Sequence, residues 1–148
     1  LVHGSRPQIN ERLNKENIAS EFYDNERVTD ESSIPYVLQA VGESRFLVES
    51  ALSTGLPNSP MHGSQIRVCS GNLVVAMPAG VQEGVDYENT GIVRRIDESG
   101  INDHLNDGSI VLLSPMGYST TGEVFNLPFT IFLIAFESRT LIRNLCRE

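Results

Sequence analysis

Three stretches of the sequence carry residue types that could do chemistry on a small anion. The first is His3-Gly4-Ser5-Arg6-Pro7, a glycine turn running into a helix start. Free backbone N–H groups at the open end of a helix favour negative charge; a plain strand–glycine–helix turn is the alternative. The second is Arg27, directly before Val28-Thr29-Asp30. Its guanidinium can hold a carboxylate in a two-pronged fork; a solvated arginine is the alternative. The third is Gly108–Leu127, GSIVLLSPMGYSTTGEVFNL. There the apolar run Ile110–Leu113 is followed by the small, polar loop Met116–Glu123. Ligands of open α/β sheets sit beyond the carboxyl ends of strands, so this loop is the expected ligand site. Asn126 follows as a polar residue between Phe125 and Leu127.

Other chemistry-bearing residues lead less far. His104 lies among Asp103 and Asn106 with no His or Cys at ligand spacing, so a surface histidine and no metal site are expected. Cys69 and Cys146 are far apart and form no CxxC, which fits a reducing compartment rather than a disulfide framework or a zinc site. Arg94-Arg95 reads as a charged, exposed strand edge. A net charge of −8 and a pI near 4.8 argue against a nucleic-acid footprint. No apolar run approaches the roughly 20 residues of a membrane span. GxSxG, Walker and HExxH patterns are absent.

The elements that must position these residues follow from periodicity and capping. At 148 residues and 40% hydrophobic, the chain is one domain or part of one. Leu1-Val2 reads as the tail of a strand, so the sequence is expected to open inside a domain. Ile9 and Leu13 share one helix face, with Pro7 in the first turn. Asn14–Asn25 is expected to be exposed. Thr29 or Asp30 would cap a helix striped by Ile34, Val37, Leu38, Val41, Val48 and Leu52. Gly55–Gly63 is a loop. Ile66–Ser70 and Leu73–Met77 around Gly71-Asn72 predict a hairpin, and Ile92–Ile96 a third strand. Asp97 would cap a helix with Ile101 and Leu105 facing the core, ended by Gly108. Ile110–Leu113, apolar throughout, predicts a strand buried on both faces, as in a parallel sheet covered by helices. The residues thus predict an α/β domain with an anion or carboxylate site.

Val2–Ile9 (VHGSRPQI), Arg27–Asp30 (RVTD), Ile66–Asp86 with Gly91–Asp97, and Gly108–Leu127 together resemble the amino-acid kinase family, and within it the N-acetylglutamate synthases. The resemblance implies a three-layer αβα sandwich of the carbamate kinase-like type, incomplete here, with a β-hairpin over the cleft. It implies a partial kinase-like domain over 1–127, a divergent tail over 128–148 (residues 129–136 forming a makeshift strand or an exposed apolar segment), and an absent acetyltransferase domain. The family reaction is acetyl transfer from acetyl-CoA to L-glutamate in arginine biosynthesis, with acetyl-CoA a substrate of the absent domain and no cofactor on this chain. By resemblance, Gly4, Ser5, Arg27 and Asn126 hold a glutamate- or N-acetylglutamate-like ligand, and the arginine effector site is mostly missing. A homo-oligomer in the cytoplasm, or a plastid if the source is a plant, is implied. Two alternatives remain: a kinase phosphorylating N-acetylglutamate with ATP, and a non-catalytic interaction subunit. Ser5-Arg6 replaces the kinases' glycines, and Pro128 stands where they begin a helix toward a phosphate-organising aspartate. Both departures disfavour phosphoryl transfer.

Overall fold

The computed structural model describes residues 1–53 and 66–128. The expected loop at Gly55–Gly63, Cys146 and the segment 129–136 lie outside the described residues. The apolar run Ile110–Leu113 does what its composition demands. Strand β8 (Ile110–Val111) continues through Leu112 and Leu113, and Val111, Leu112 and Leu113 are all buried. It pairs in parallel with β3 (Val68–Cys69) on one side, and Leu113 bridges Val2 in parallel on the other. Three chain segments thus run the same way, ending at His3, Ser114 and Ser70.

A second sheet has the order β10-β9-β4-β7, from β4 (Val74–Pro78), β7 (Gly91–Ile96), β9 (Met116–Tyr118) and β10 (Val124–Asn126). β4 and β9 are parallel; β4–β7 and β9–β10 are antiparallel. The hairpin expected from Ile66–Ser70 and Leu73–Met77 is therefore not formed. β3 and β4 follow one another along the chain but sit in different sheets, each beside the segment 110–118. Gly71-Asn72 carries the chain from one sheet to the next. A turn-like dipeptide between two apolar runs does not say which strand each run pairs with.

Helices lie on both sides of the strands. α1 (Arg6–Lys15) and α2 (Ile34–Ser53) pack together through Ile9, Leu13, Val37, Ala40 and Val41, with Met116 of β9 beneath them. α3 (Glu98–Asn106) sends Ile101 into the other core, with Val74, Ala76, Val111, Leu113 and Phe125. The result is an open α/β architecture with helical layers on two faces.

Local signals set the helix ends. The Asp30 carboxylate accepts from the Ser33 N–H at 2.8 Å ahead of α2, and Asp97 accepts from the Gly100 N–H at 3.1 Å. Hydrogen bonds to these carboxylates hold both below the usual carboxylate range, from Ser33 at Asp30 and from Gly100 at Asp97. Gly108, at φ +73°, closes α3: its N–H donates to the Leu105 carbonyl while that of Ser109 reaches His104. Two apolar positions face outward instead of inward. Leu105, 52% exposed, is in the last turn of α3, and Leu38, 41% exposed, is beside the buried Val37 stripe of α2. The apolar faces of these helices are narrower than their sequences suggest. β7 lies at the edge of its sheet and exposes Arg94 and Arg95, as expected.

The strand crossing at β9 leaves no room for a side chain. A Cβ on Gly117 would fall 2.5 Å from the Ala76 Cβ and 3.1 Å from the Leu127 side chain. Gly117→Ala is therefore expected to lower the unfolding free energy by about 1–3 kcal/mol in urea denaturation, the usual cost of overpacking. Adding Ala76→Gly removes the nearer obstacle and should recover part of that loss. Strictly additive destabilisation would show that the two sites are not in conflict.

Candidate functional site

Ahead of the first helix, three hydroxyl or imidazole groups tie the glycine turn to the sheet. The His3 N–H donates to the Leu113 carbonyl at 3.2 Å. His3 Nε2 lies 2.8 Å from Ser114 Oγ, and Nδ1 lies 3.3 Å from Ser5 Oγ. Burial lowers the His3 pKa, more than the hydrogen bond the ring gives to the Gly4 backbone raises it. The neutral ring has one N–H, so one serine donates to it and the other accepts from it. Ser5 is 1% exposed. Its carbonyl accepts from the Ile9 N–H at 2.9 Å, and its side chain makes no capping bond.

The segment Asn14–Asn25, expected to be exposed, contains a strand that its composition did not announce. β1 (Glu21–Tyr23) and β2 (Glu26–Val28) form a hairpin turned at Asp24-Asn25, both with positive φ. An Asp-Asn pair between aromatic and β-branched residues was the available signal. β5 (Val81–Gln82) and β6 (Val85–Asp86) form a second hairpin. The two touch: the Tyr23 hydroxyl donates to Glu83 at 2.6 Å, and the Tyr23 and Tyr87 rings meet edge to face.

Between the first hairpin, the start of α1 and the end of β10 lies a cleft of about 260 Å³. Ser5, Arg6 and Ile9 form one wall, Phe22 and Asp24–Arg27, with the carboxylates of Asp24 and Glu26, a second, and Pro115 with Asn126–Pro128 a third. Ser5, Arg27 and Asn126 thus border one space although they are far apart in the chain. Gly4 is exposed and does not line it. The polar loop after Ile110–Leu113, where a ligand was expected, does not line this cleft. Its residues Ser119–Glu123 form the exposed turn of the β9–β10 hairpin, where Ser119 and Thr121 bond Glu123. Its hydroxyls satisfy their own turn, while the strand ends on either side, Pro115 and Asn126, reach the cleft.

Arg27 is 7% exposed. It donates to Ser20 Oγ at 2.5 Å and to Asn10 Oδ1, and its guanidinium lies 4.6 Å from the Phe22 ring centroid. All three partners are neutral, and among the described residues no carboxylate is ion-paired with it. Burial, and after it the charge of Arg6, pulls its pKa down, yet a guanidinium stays charged at any ordinary pH.

A buried polar knot fixes Arg27 relative to Asn126. The Thr90 hydroxyl donates to the Arg27 carbonyl at 2.7 Å and accepts from the Thr29 N–H at 3.0 Å. It has one proton to give, so the 3.0 Å contact between the Thr90 and Thr29 hydroxyls uses the proton of Thr29. Asn126 Nδ2 then donates to Thr29 Oγ1 at 2.9 Å. Thr29 and Thr90 are essentially inaccessible to solvent. The stretch RVTD divides its work accordingly: Arg27 faces the cleft, Thr29 joins the knot and Asp30 caps α2.

The family model described as the amino acid kinase family matches residues 1–135. This chain belongs to that family. Among curated proteins it is 54% identical over 127 residues to an amino-acid acetyltransferase of Pseudomonas fluorescens (strain Pf0-1), covering 86% of this chain and 29% of the relative. An amino-acid acetyltransferase of Pseudomonas syringae pv. tomato is 53% identical over the same length. The chain therefore spans somewhat under a third of the curated relatives it matches. The crystal structure of N-acetylglutamate synthase from Neisseria gonorrhoeae complexed with coenzyme A and L-arginine superposes with a TM-score of 0.77 at 31% identity, covering 86% of this chain and 30% of that one. A Streptococcus mutans protein, smu.665, shares the fold at TM-score 0.63 and 21% identity, covering 85% of this chain and 49% of its own. Among the described residues no helix is long and apolar enough to cross a membrane.

Proposed function

We propose that this chain is the kinase-like portion of an N-acetylglutamate synthase, and that its cleft takes a small amino-acid carboxylate rather than transferring phosphate. The parent reaction would move acetyl from acetyl-CoA to the amine of L-glutamate. Acetyl transfer and the acetyl-CoA site would belong to a part of the protein outside these 148 residues, and the kinase-like portion would serve regulation and assembly. The observation that carries the reading of the cleft is Arg27, buried in the cleft that Asn126 also lines and, among the described residues, ion-paired with no carboxylate. A guanidinium fork and an amide can bracket an α-carboxylate, with Ser5 at the helix start on the opposite wall. Gly4 would act through the turn that sets Ser5.

A kinase is the competing reading, and the charge inventory speaks against it. Phosphoryl transfer rests on cations positioned around the phosphates. Lys15, the single lysine of the sequence, is ion-paired with Glu11 on the exposed side of α1. The Ser5 and Arg6 side chains stand where a phosphate would need bare backbone. Titration calorimetry and product assays on the chain separate the readings. Expected are N-acetyl-L-glutamate or L-glutamate binding, weak or no arginine binding, no ADP from ATP, and no acetyl transfer by the chain alone. ADP release dependent on N-acetyl-L-glutamate would overturn the proposal in favour of a kinase.

A further inference from the structure

We propose that His3 is a positioning residue of the cleft, turning the Ser5 hydroxyl so that its proton is offered to an anion there. The inference rests on the carboxylate reading of the cleft given above. His3 is anchored to the sheet on one side and meets the cleft wall on the other. Its backbone N–H donates to the Leu113 carbonyl, and Nε2 lies 2.8 Å from Ser114 Oγ, just past the buried strand. Nδ1 lies 3.3 Å from Ser5 Oγ. Ser5 lines the cleft together with Arg27 and Asn126. A serine directly ahead of a helix ordinarily bonds an N–H group of the first turn. Ser5 makes no such bond, so the imidazole, not the helix, decides where its hydroxyl points.

The proton count decides what Ser5 presents. A neutral imidazole has one N–H, and a hydroxyl has one proton. With the N–H on Nδ1, Ser5 accepts from the ring and keeps its own proton for the cleft, while Ser114 donates to Nε2. With the N–H on Nε2, the Ser5 proton is used on Nδ1 and only lone pairs are left, which repel an anion. A carboxylate in the cleft therefore selects the first arrangement, and Ser114 is placed to support it. A protonated ring donates from both nitrogens and leaves Ser5 in the same state. Burial first, and to a smaller extent the charge of Arg45 on α2, lower the ring's pKa against the hydrogen bond it gives the Gly4 backbone. Arg45 is itself paired with Glu49 at 3.2 Å on the same helix. On the cleft side stand Arg6, Arg27, Asp24 and Glu26. Two of these four are carboxylates that disfavour an arriving anion, so a neutral donor on the Ser5 wall matters. The ligand's negative charge pulls the His3 pKa up. Binding should therefore be coupled to proton uptake by the ring and tighten as pH falls below the ordinary histidine value.

The test is calorimetric titration of N-acetyl-L-glutamate into the full chain at about pH 7.5 and about pH 5.5, on either side of the ordinary imidazole pKa. His3→Asn, His3→Gln and Ser5→Ala are titrated beside wild type. An asparagine amide stands in for Nδ1 and a glutamine amide for Nε2. Wild type should bind about threefold more tightly at the lower pH and take up a proton. His3→Asn should keep most of the affinity at the higher pH and lose the pH response. His3→Gln and Ser5→Ala should each bind about tenfold more weakly, the size of one charge-assisted hydrogen bond. The double variant should bind no more weakly than either, because both changes remove the same donor. A merely structural His3 would give additive losses and no pH response. If His3→Gln binds like wild type, or wild-type affinity does not rise with acid, the role of His3 is overturned and the carboxylate reading stands. A pH response that survives in His3→Asn belongs to Asp24 or Glu26 and overturns it equally. Should His3→Gln lose its cooperative urea transition, Ser5→Ala and the wild-type pH response decide alone. Failure of wild type to bind N-acetyl-L-glutamate overturns the carboxylate reading and this inference with it.

Discussion

Thr90→Val is expected to lower the unfolding free energy by about 3 kcal/mol, which urea denaturation would read directly. Valine has the shape of threonine, so the packing survives and the hydroxyl alone is removed. That hydroxyl serves both the Arg27 carbonyl and the Thr29 N–H in a region closed to water. Each buried polar group left without a partner costs about 1–3 kcal/mol, and here the Arg27 carbonyl and the Thr29 N–H are orphaned and the Thr29 hydroxyl proton also loses its acceptor. Thr90→Ser keeps the hydroxyl and loses one buried methyl, worth about 0.8 kcal/mol. The serine variant should accordingly lie much closer to wild type. If valine is tolerated, or serine is the worse of the two, the knot does not hold the cleft together. The consequence for the site follows from the same bonds. Thr90 bridges β2, which carries Arg27, to the chain beside Asn126, so its loss should weaken carboxylate binding as well as stability.

What could be read from the sequence was what local physics decides. Asp97 and Gly108 mark the two ends of a helix because capping and left-handed backbone are properties of a few adjacent residues. Ile110–Leu113 declares burial on both faces because no residue in it tolerates water. Pairing partners are another matter. β3 and β4 are adjacent in sequence, yet each lies beside the segment 110–118, and that choice depends on residues some forty positions away. β1 was hidden for a different reason: Glu21, Phe22 and Tyr23 are all exposed, so no alternation marks them as a strand.

The candidate site divides in the same way. Arg27 stood out as a residue type able to grip a carboxylate, and the resemblance added Gly4, Ser5 and Asn126. How Arg27 and Asn126 come together was not legible, because they are joined through Thr90, an unremarkable threonine in a turn-rich stretch. The composition of the Gly–Ser–Thr loop admits two readings. Ser119, Thr121 and Glu123 are just as suited to bonding one another across a tight turn as to holding a ligand, and they do the former. Phe22 was equally silent in the sequence, although two guanidinium groups lie over its ring.

Arg27→Gln is expected to weaken N-acetyl-L-glutamate binding by at least about a hundredfold, the usual loss when one partner of a desolvated charge pair is removed. The fold should barely notice. Glutamine can still donate to Ser20 or Asn10, and burying a neutral amide avoids the desolvation cost of a cation that no carboxylate offsets. The unfolding free energy should therefore change by no more than about 1 kcal/mol. Arg27→Lys sharpens the point. It restores the charge without the planar fork, so binding should return only in part. That ordering, with arginine above lysine and lysine above glutamine at nearly constant stability, separates a ligand-binding residue from a structural one. If Arg27→Gln binds like wild type, the buried cation has a purely structural use. If it loses binding together with its cooperative melt, Arg27 acts by holding the hairpin against α1. A cation kept in the interior without a counter-charge makes sense energetically when an arriving carboxylate completes it, and these variants measure that completion.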